Sequence, residues 1–405
     1  MKDMYNFLKQ IKSIGEETGE DIYIVGGFIR DKLFNSQIDV HDLNLVCSGS
    51  MQKVIEELSK LGYYFKVLDN GKYKYKNDNM TVDIALINGS DIVEDLNNRD
   101  YTANAIALRL TEIKIIDPFD GRKAIRSRII KQVNKGSLSD DPIRILRGIR
   151  MYIKYGMHFN FETEEEIRRI ASRLYYFNGP NKFYEFMKVI EADFQGKAFE
   201  ILYDYGVLSN IFPYIEELKT VGKCKYHIED ALTHMNLTYQ VFKDLVNGRI
   251  KLGGIDIGKI DEVIDEFNIK NYIALSCFLH DIGKFKCYKK QGDRVSFYGH
   301  EIEGAKIVHN ICNNMQFSKD ATEIEETIVE AHMMPLEILK METAEQNEAL
   351  NSMFSRYRNY IPYIFIVSFC DNYATNMLLN NSNEKIKFKQ FIENALLKYR
   401  KYRFV

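Results

Sequence analysis

The alternation of apolar and polar positions predicts mixed α and β structure from residue 1 to about 125. An amphipathic helix near Met4 to Thr18 is followed by a strand Asp21 to Val25, a helix Gly27 to Leu33 and a strand Leu43 to Cys47. A helix Gln52 to Leu61 then leads to two further strands, Tyr64 to Leu68 and Thr81 to Ile87. From about 126 the apolar spacing becomes helical: Ile143, Leu146, Ile149 and Ile153, then Phe183, Phe186, Val189 and Ile190, fall on single faces. The helical pattern continues beyond about 221, with His and Asp residues on or near helices. The expected fold class is α+β: a small α/β head (1–125), an all-α neck and body (126–220) and an all-α C-terminal domain (221–405).

Composition narrows the class. The chain has 405 residues, 45% hydrophobic and 28% charged, with 6 Pro and no low-complexity tract, which describes a folded protein of two to four domains. With 55 basic against 57 acidic residues the net charge of -2 gives no global case for nucleic acid, so any RNA surface is local. Lys385 to Arg403 is one such basic stretch, interleaved with Phe388, Phe391, Tyr399 and Tyr402, and an amphipathic final helix explains it equally well. The six cysteines form no C-x-x-C pair, which fits reduced thiols. With neither a signal peptide nor an 18-residue apolar span, the expectation is a cytoplasmic protein that does not enter a membrane.

Two constellations carry candidate chemistry. In the head, Gly26-Gly27 sits between an apolar strand and a helical run, where backbone N–H groups can approach a triphosphate. Arg30-Asp31 follows at once, Asp42 lies on the next strand and Asp83 on another. Acidic positions on neighbouring strands are what Mg²⁺ ions need to bind a triphosphate and activate a 3′-hydroxyl. In the C-terminal part, His234, His280-Asp281, His300, His332 and Asp371 occupy five helical or near-helical segments. Four imidazoles and two carboxylates, with Asp281 placed to bridge, suit a dinuclear metal site.

Gly26-Gly27-x-x-Arg30-Asp31, then Asn98-Arg99-Asp100-Tyr101-Thr102-Ala103-Asn104-Ala105-Ile106-Ala107, then Asp140-Asp141-Pro142-Ile143-Arg144-Ile145-Leu146-Arg147 resemble successive motifs of the class II family of CCA-adding tRNA nucleotidyltransferases and bacterial poly(A) polymerases. The order and spacing match over most of residues 21 to 215. The resemblance implies a nucleotidyltransferase head, a helical neck that contacts nucleotide and RNA, and partners that are RNA, chiefly the tRNA 3′ end, with ATP and CTP. It implies catalytic positions at Asp42, Asn44 and Asp83. It assigns nucleotide binding to Gly26, Gly27, Arg30, Asp31, Arg99, Asp100, Asn104, Asp141, Arg144 and Arg147. In that assignment Arg99 and Asp100 order the triphosphate and ribose, while Asp141 accepts from an exocyclic amine and Arg144 donates to a ring acceptor, a pairing that suits CTP and ATP. A surface ion pair at i, i+3 explains Asp141 and Arg144 as well.

The chain departs from that family at three places. Two extra residues separate Asp31 from Asp42, and Pro180-Asn181 stands where a Glu-Arg pair is usual. The third departure bears on chemistry: Asn44 occupies the position of a metal-binding aspartate, so Asp-x-Asp reads Asp42-Leu43-Asn44. One unit charge lost about 4 Å from a metal amounts to roughly 4 kcal/mol at an effective dielectric of 20, about a thousandfold in rate.

Leu279-His280-Asp281-Ile282-Gly283-Lys284, Tyr298-Gly299-His300-Glu301, Ala331-His332-Met333 and Phe369-Cys370-Asp371-Asn372 resemble the HD-domain phosphohydrolases. The matching positions are metal ligands there, for Mn²⁺, Ni²⁺ or Fe²⁺, and Lys284 is implied near the substrate phosphate. The leading expectation is therefore an RNA nucleotidyltransferase adding CMP or AMP, with a C-terminal HD domain. The alternatives are an HD phosphohydrolase whose head only binds nucleotide or RNA, and a non-catalytic RNA-binding protein.

Overall fold

A computed structural model describes residues 2–35, 41–68, 71–177, 179–222, 229–255, 260–292, 294–378 and 382–402. The chain divides into two compact units, Met1–Ile170 and Ala171–Val405. That boundary falls inside the stretch 126–220, which the sequence reading groups as one.

In the first unit, α1 (Lys2–Thr18), β1 (Ile22–Val25), α2 (Gly27–Phe34), β2 (Asp42–Cys47) and α3 (Met51–Lys60) follow the predicted order. Then come β3 (Lys66–Val67), β4 (Tyr73–Lys76), β5 (Thr81–Leu86), α4 (Ile92–Asn97), β6 (Ala107–Arg109) and β7 (Lys114–Ile116). The sheet has the order β3-β4-β5-β2-β1-β6-β7. Within this sheet, among the described residues, the β2–β5 pairing is parallel and the others antiparallel. Strands β4, β6 and β7 were not expected from the sequence, because each is short and β4 alternates tyrosine with lysine rather than with an aliphatic residue.

Residues in register across neighbouring strands point to the same face. One face of this sheet is apolar: Ile22, Ile24, Leu43, Leu45, Val82 and Ile84 are buried, as are Phe7, Ile11, Val54 and Leu58 of α1 and α3. On the other face, Tyr23, Val25 and Val46 pack with Ile92 and Leu96 of α4. That cover stops short of the start of β2, where Asp42 and Asn44 stay exposed. Further on are α5 (Gly121–Ser127), β8 (Ile129–Ile130), α6 (Ser137–Asp140), α7 (Arg144–Tyr155), β9 (His158–Phe159) and α8 (Phe161–Ile170). The buried stripe of α7 is Ile145, Leu146, Ile149, Met151 and Tyr155, rotated from the predicted one because Ile143 and Ile153 are only partly covered. Gly148 belongs to the stripe by necessity: a Cβ there would lie 2.3 Å from the Tyr101 hydroxyl, which donates to the Arg144 carbonyl at 2.8 Å.

Among the described residues the second unit is helical, as its spacing predicts, apart from two small antiparallel strand pairs, Val263–Ile264 with Phe267–Asn268 and Lys289–Gln291 with Arg294–Ser296. The first turns through Asp265 and Glu266, both at positive φ (49° and 72°), the tight hairpin geometry that a helical-period search passes over. The core is aromatic: Phe186, Phe199, Phe212, Tyr239 and Phe278 are buried, and the Phe199 and Phe278 rings stack 3.6 Å apart. No helix among the described residues is long and apolar enough to cross a membrane.

Candidate active sites

In the first unit the sheet register assembles the acidic face. Val25 pairs with Asn44, Asn44 with Asp83 and Asp42 with Thr81. Asp42, Asn44 and Asp83 therefore share the open face, beside the turn at Gly26. Gly26 has φ 75°, a conformation that glycine adopts without a Cβ penalty, and it is the N-cap of α2. A Cβ on Gly26 would sit 3.3 Å from Nη1 of Arg99, so the guanidinium lies over the turn, held by Asp95 Oδ2 at 2.8 Å. Burial raises the Asp83 carboxyl above the usual carboxylate range; Asp42 adds to that rise and Lys74 opposes it. Asp83 Oδ1 is buried with no hydrogen-bond partner. A buried carboxylate oxygen with nothing to accept from is the donor atom a cation needs, so Asp42 and Asp83 fit a hard divalent ion.

The remaining head residues fall into two groups. Arg30 Nε donates to Asp31 Oδ1 at 2.9 Å, Nη1 to Asn104 Oδ1 at 2.6 Å and Nη2 to the Tyr155 hydroxyl at 3.0 Å. Tyr155 in turn donates to Asp31 Oδ1 at 2.6 Å. Asn104 Nδ2 donates to Asp100 Oδ1 at 2.8 Å, and Arg147 lies 3.8 Å from Asp100 Oδ2. Arg30 and Asp31 are both buried, so this network locks α2 to α7. Tyr155 and Asp95 were missed in the sequence, since neither belongs to a motif and only tertiary contact brings them in.

Asp141 and Arg144 are placed differently. Arg144 spends Nη1 on the Ser137 carbonyl and Nη2 on the Asn98 carbonyl, both at 3.0 Å, while its Nε is 3.8 Å from Asp141 Oδ2. Asp141 Oδ1 accepts from the Ile143 N–H at 3.1 Å. Its side chain is 37% exposed.

The second unit brings together the full histidine and aspartate set. His234 comes from the helix Ala231–Val246 and Asp371 from Ile361–Leu378, while His300 begins His300–Met315. His280 and His332 end the helices Ile269–Leu279 and Lys319–Ala331. Nε2 of His234 lies 2.8 Å from Asp371 Oδ1 and 3.6 Å from Asp281 Oδ2. Asp281 is also 3.2 Å from His280 Nε2, 3.2 Å from His300 Nε2 and 2.5 Å from Lys284 Nζ. Lys284, expected near a substrate phosphate, is thus buried and paired with Asp281.

Each of three rings is oriented by its own helix end. Nδ1 of His280, His300 and His332 bonds the carbonyl three residues back, of Cys277, Phe297 and Val329, at 2.9, 3.0 and 2.7 Å. With Nδ1–H donating, each Nε2 keeps a lone pair turned inward. Those three Nε2 atoms are buried without a hydrogen-bond partner. Burial, reinforced by His280 and His300, pushes His332 down to about 3, which keeps it neutral and ready to ligate. Burial disfavours the His234 cation too, but hydrogen bonds to Asp371 and Glu229 outweigh it and raise the ring to about 9. A metal would compete with that proton. His234, His280 and Asp371 form one group of donors close enough to share an ion; His280, Asp281 and His332 form another. The donor set fits a transition metal.

Residues 67–131 match the poly A polymerase head domain family and residues 256–376 the HD domain family. The chain is 30% identical over 223 residues to the CCA-adding enzyme of Geobacillus sp. (strain WCH70), a match covering 51% of this chain and 54% of that enzyme. It is 25% identical over 331 residues to the multifunctional CCA protein of Actinobacillus pleuropneumoniae serotype 5b (strain L20), covering 77% and 75%. The match to the Geobacillus enzyme thus spans about half that enzyme's length. Among solved structures, the Thermotoga maritima CCA-adding enzyme complexed with tRNA superposes with a TM-score of 0.65 at 20% identity, over 99% of this chain and 83% of the other. A CCA-adding enzyme complexed with ATP also gives 0.65, at 19% identity over 97% and 82%. By sequence the chain is similar to CCA-adding enzymes and shares their fold, with residues 67–131 matching the poly A polymerase head domain and residues 256–376 the HD domain.

Proposed function

We propose that this protein is a cytoplasmic, template-independent RNA nucleotidyltransferase that adds CMP and AMP to the 3′ end of tRNA. The observation that carries the reading is the open face of the sheet beside the Gly26 turn, where Asp42 and Asn44 share a face with Asp83, the partner of Asn44 in register, and Asp83 Oδ1 has no partner. Asp42 and Asp83 would hold Mg²⁺, which when bound neutralises triphosphate charge and favours ionisation of the RNA 3′-hydroxyl. Gly26 and Gly27 let phosphate approach the backbone, and Arg99 overhangs that turn as a donor. The Arg30–Asp31–Tyr155–Asn104–Asp100 network keeps this phosphate end rigid. Asp141, whose Oδ2 has the Arg144 guanidinium 3.8 Å away, accepts from the exocyclic amine of cytosine or adenine, and Arg144 holds the segment that carries it. Relatives named for CCA addition, and similar structures solved with tRNA, ATP and CTP, support this reading. The test is transfer of labelled CTP or ATP to tRNA lacking its 3′ end in the presence of Mg²⁺. No incorporation by the wild-type chain, with the fold intact, would sink the proposal.

The orphaned imidazole nitrogens of the second unit favour a further activity, metal-dependent hydrolysis of a phosphate ester. His234, His280, Asp281, His300, His332 and Asp371 would hold Mn²⁺, Ni²⁺ or Fe²⁺, which when bound lowers the pKa of water toward neutrality. Lys284 balances the charge of Asp281, 2.5 Å away. Chelator-sensitive hydrolysis of a generic phosphodiester after loading with each metal tests this reading.

A further inference from the structure

Strand β4 reads Tyr73, Lys74, Tyr75, Lys76, and its pleat sends tyrosines and lysines to opposite faces. Tyr75 packs on Tyr63 and Phe65, the side closed by α1. Lys74 is in register with Asp83, which is in register with Asn44, and Lys76 is in register with Thr81, beside Asp42. One row across the open face therefore reads Lys74, Asp83, Asn44.

Lys74 is half-buried. No hydrogen bond, and no ion pair within 4.0 Å, engages its ammonium among the described residues. Asp83 Oδ1 is itself buried and partnerless. A half-buried ammonium with no protein partner and a buried, partnerless carboxylate oxygen on adjacent strands, not bonded to each other, suit a ligand that carries an anion for the first and a cation for the second. Charge counting agrees. Three aspartates would offer three negative charges to two divalent ions. Here Asp42 and Asp83 offer two, Asn44 is neutral, and Lys74 contributes a positive charge where a second ion would meet repulsion.

Resting on the nucleotidyl-transfer reading, we propose that Lys74 binds the nucleotide triphosphate at this face. The head then holds one divalent ion there, with the lysine in place of a second. Lys74 is a phosphate-binding residue in this scheme, a point charge of the kind suited to a triphosphate.

The test pairs two readouts of opposite sign. Lys74→Met should raise the Kd for ATP with Mg²⁺ by about tenfold or more, the scale of losing one charge-assisted contact. The same variant should bind Mn²⁺ without nucleotide at least as tightly as wild type, measured by electron paramagnetic resonance of the free ion. The Mn²⁺ that Asp42→Ala removes defines the head's share: one ion is expected in wild type and two in Asn44→Asp. An ATP Kd within about twofold of wild type in Lys74→Met overturns the proposal. So does an equal loss in Lys76→Met, or a wild-type share of two ions. Thermal melts of each variant check that the fold is kept. If these binding shifts are seen but no variant incorporates nucleotide into tRNA, the transfer reading falls and the triphosphate site stands.

Discussion

Asn44 concentrates the question at the scale of single residues, because an amide oxygen is a neutral and weaker ligand than a carboxylate. It is exposed, in register with Asp83 and two residues from Asp42 on the same face. Solvent screening reduces the cost of the missing charge below the roughly 4 kcal/mol of a 4 Å contact at an effective dielectric of 20. Asn44→Asp is therefore expected to raise CMP or AMP incorporation by about tenfold or more. Wild-type activity that the substitution leaves unchanged would show that Asn44 does not limit transfer. Arg30 gives a different lesson. Its motif position suggests phosphate binding, yet its donors are spent on Asp31, Asn104 and Tyr155, so its effect on nucleotide would run through the rigidity of α2.

At the scale of elements, the second unit depends on close approaches between helices. Gly283 follows His280-Asp281, and a Cβ there would lie 2.1 Å from the His300 carbonyl oxygen and 2.6 Å from the Gly304 nitrogen. Both are backbone atoms and cannot swing aside. Gly283→Ala should cost about 1–3 kcal/mol or more by overpacking, read by denaturant unfolding, and should weaken metal binding by moving His300 away from Asp281. The helix Lys319–Ala331 carries a second built-in cost. Glu325 is fully buried, accepts from Ser276 Oγ at 2.7 Å through Oε2, and has no partner at Oε1. Burial raises its carboxyl well above the ordinary 4.5, and the Ser276 bond opposes that only in part. A folded-state pKa above the unfolded one means that the group's stabilising contribution is whole below about pH 4.5 and is lost as pH rises toward the folded pKa. Glu325→Gln keeps the shape and a neutral side chain, so its advantage in Tm over wild type should grow as pH rises from 5 to 9. A constant difference across that range would place the burial cost elsewhere.

The two candidate sites lie in separate compact units, each built from its own elements. Asp281→Ala is expected to abolish transition-metal content and phosphate-ester hydrolysis while leaving nucleotide incorporation within about twofold. Asp42→Ala should do the reverse. Elemental analysis after purification without chelator and reloading with Mn²⁺, Ni²⁺ or Fe²⁺ checks the first outcome. No bound metal in the wild-type protein would return the HD domain to a structural role.

Much of this architecture was legible along the chain, because the information is local. Period-3.6 spacing marks the helices, the apolar stretches at residues 21–25, 43–47 and 81–87 mark three strands, and the histidines of the second unit sit in short motifs whose sequence neighbours are also the carbonyls that orient them. The motif residues Gly26, Arg30, Asp31, Asp100 and Asn104 were likewise visible one by one. What they bond to was not, because register and burial depend on residues far apart in sequence. Tyr155 reaches Asp31 across 124 positions, and no periodicity within α7 announces that. β4 escaped notice since its alternation is aromatic with charged, yet pairing with β5 is what sets Lys74 beside Asp83. The sequence by itself determined which groups are available for metal and phosphate. Only the tertiary structure decided which of them are satisfied internally, as at Arg30, and which are left unsatisfied, as at Asp83 and the inward imidazoles. An unsatisfied buried group is costly unless a ligand completes it, and whether a partner stands within reach is a property of the folded chain.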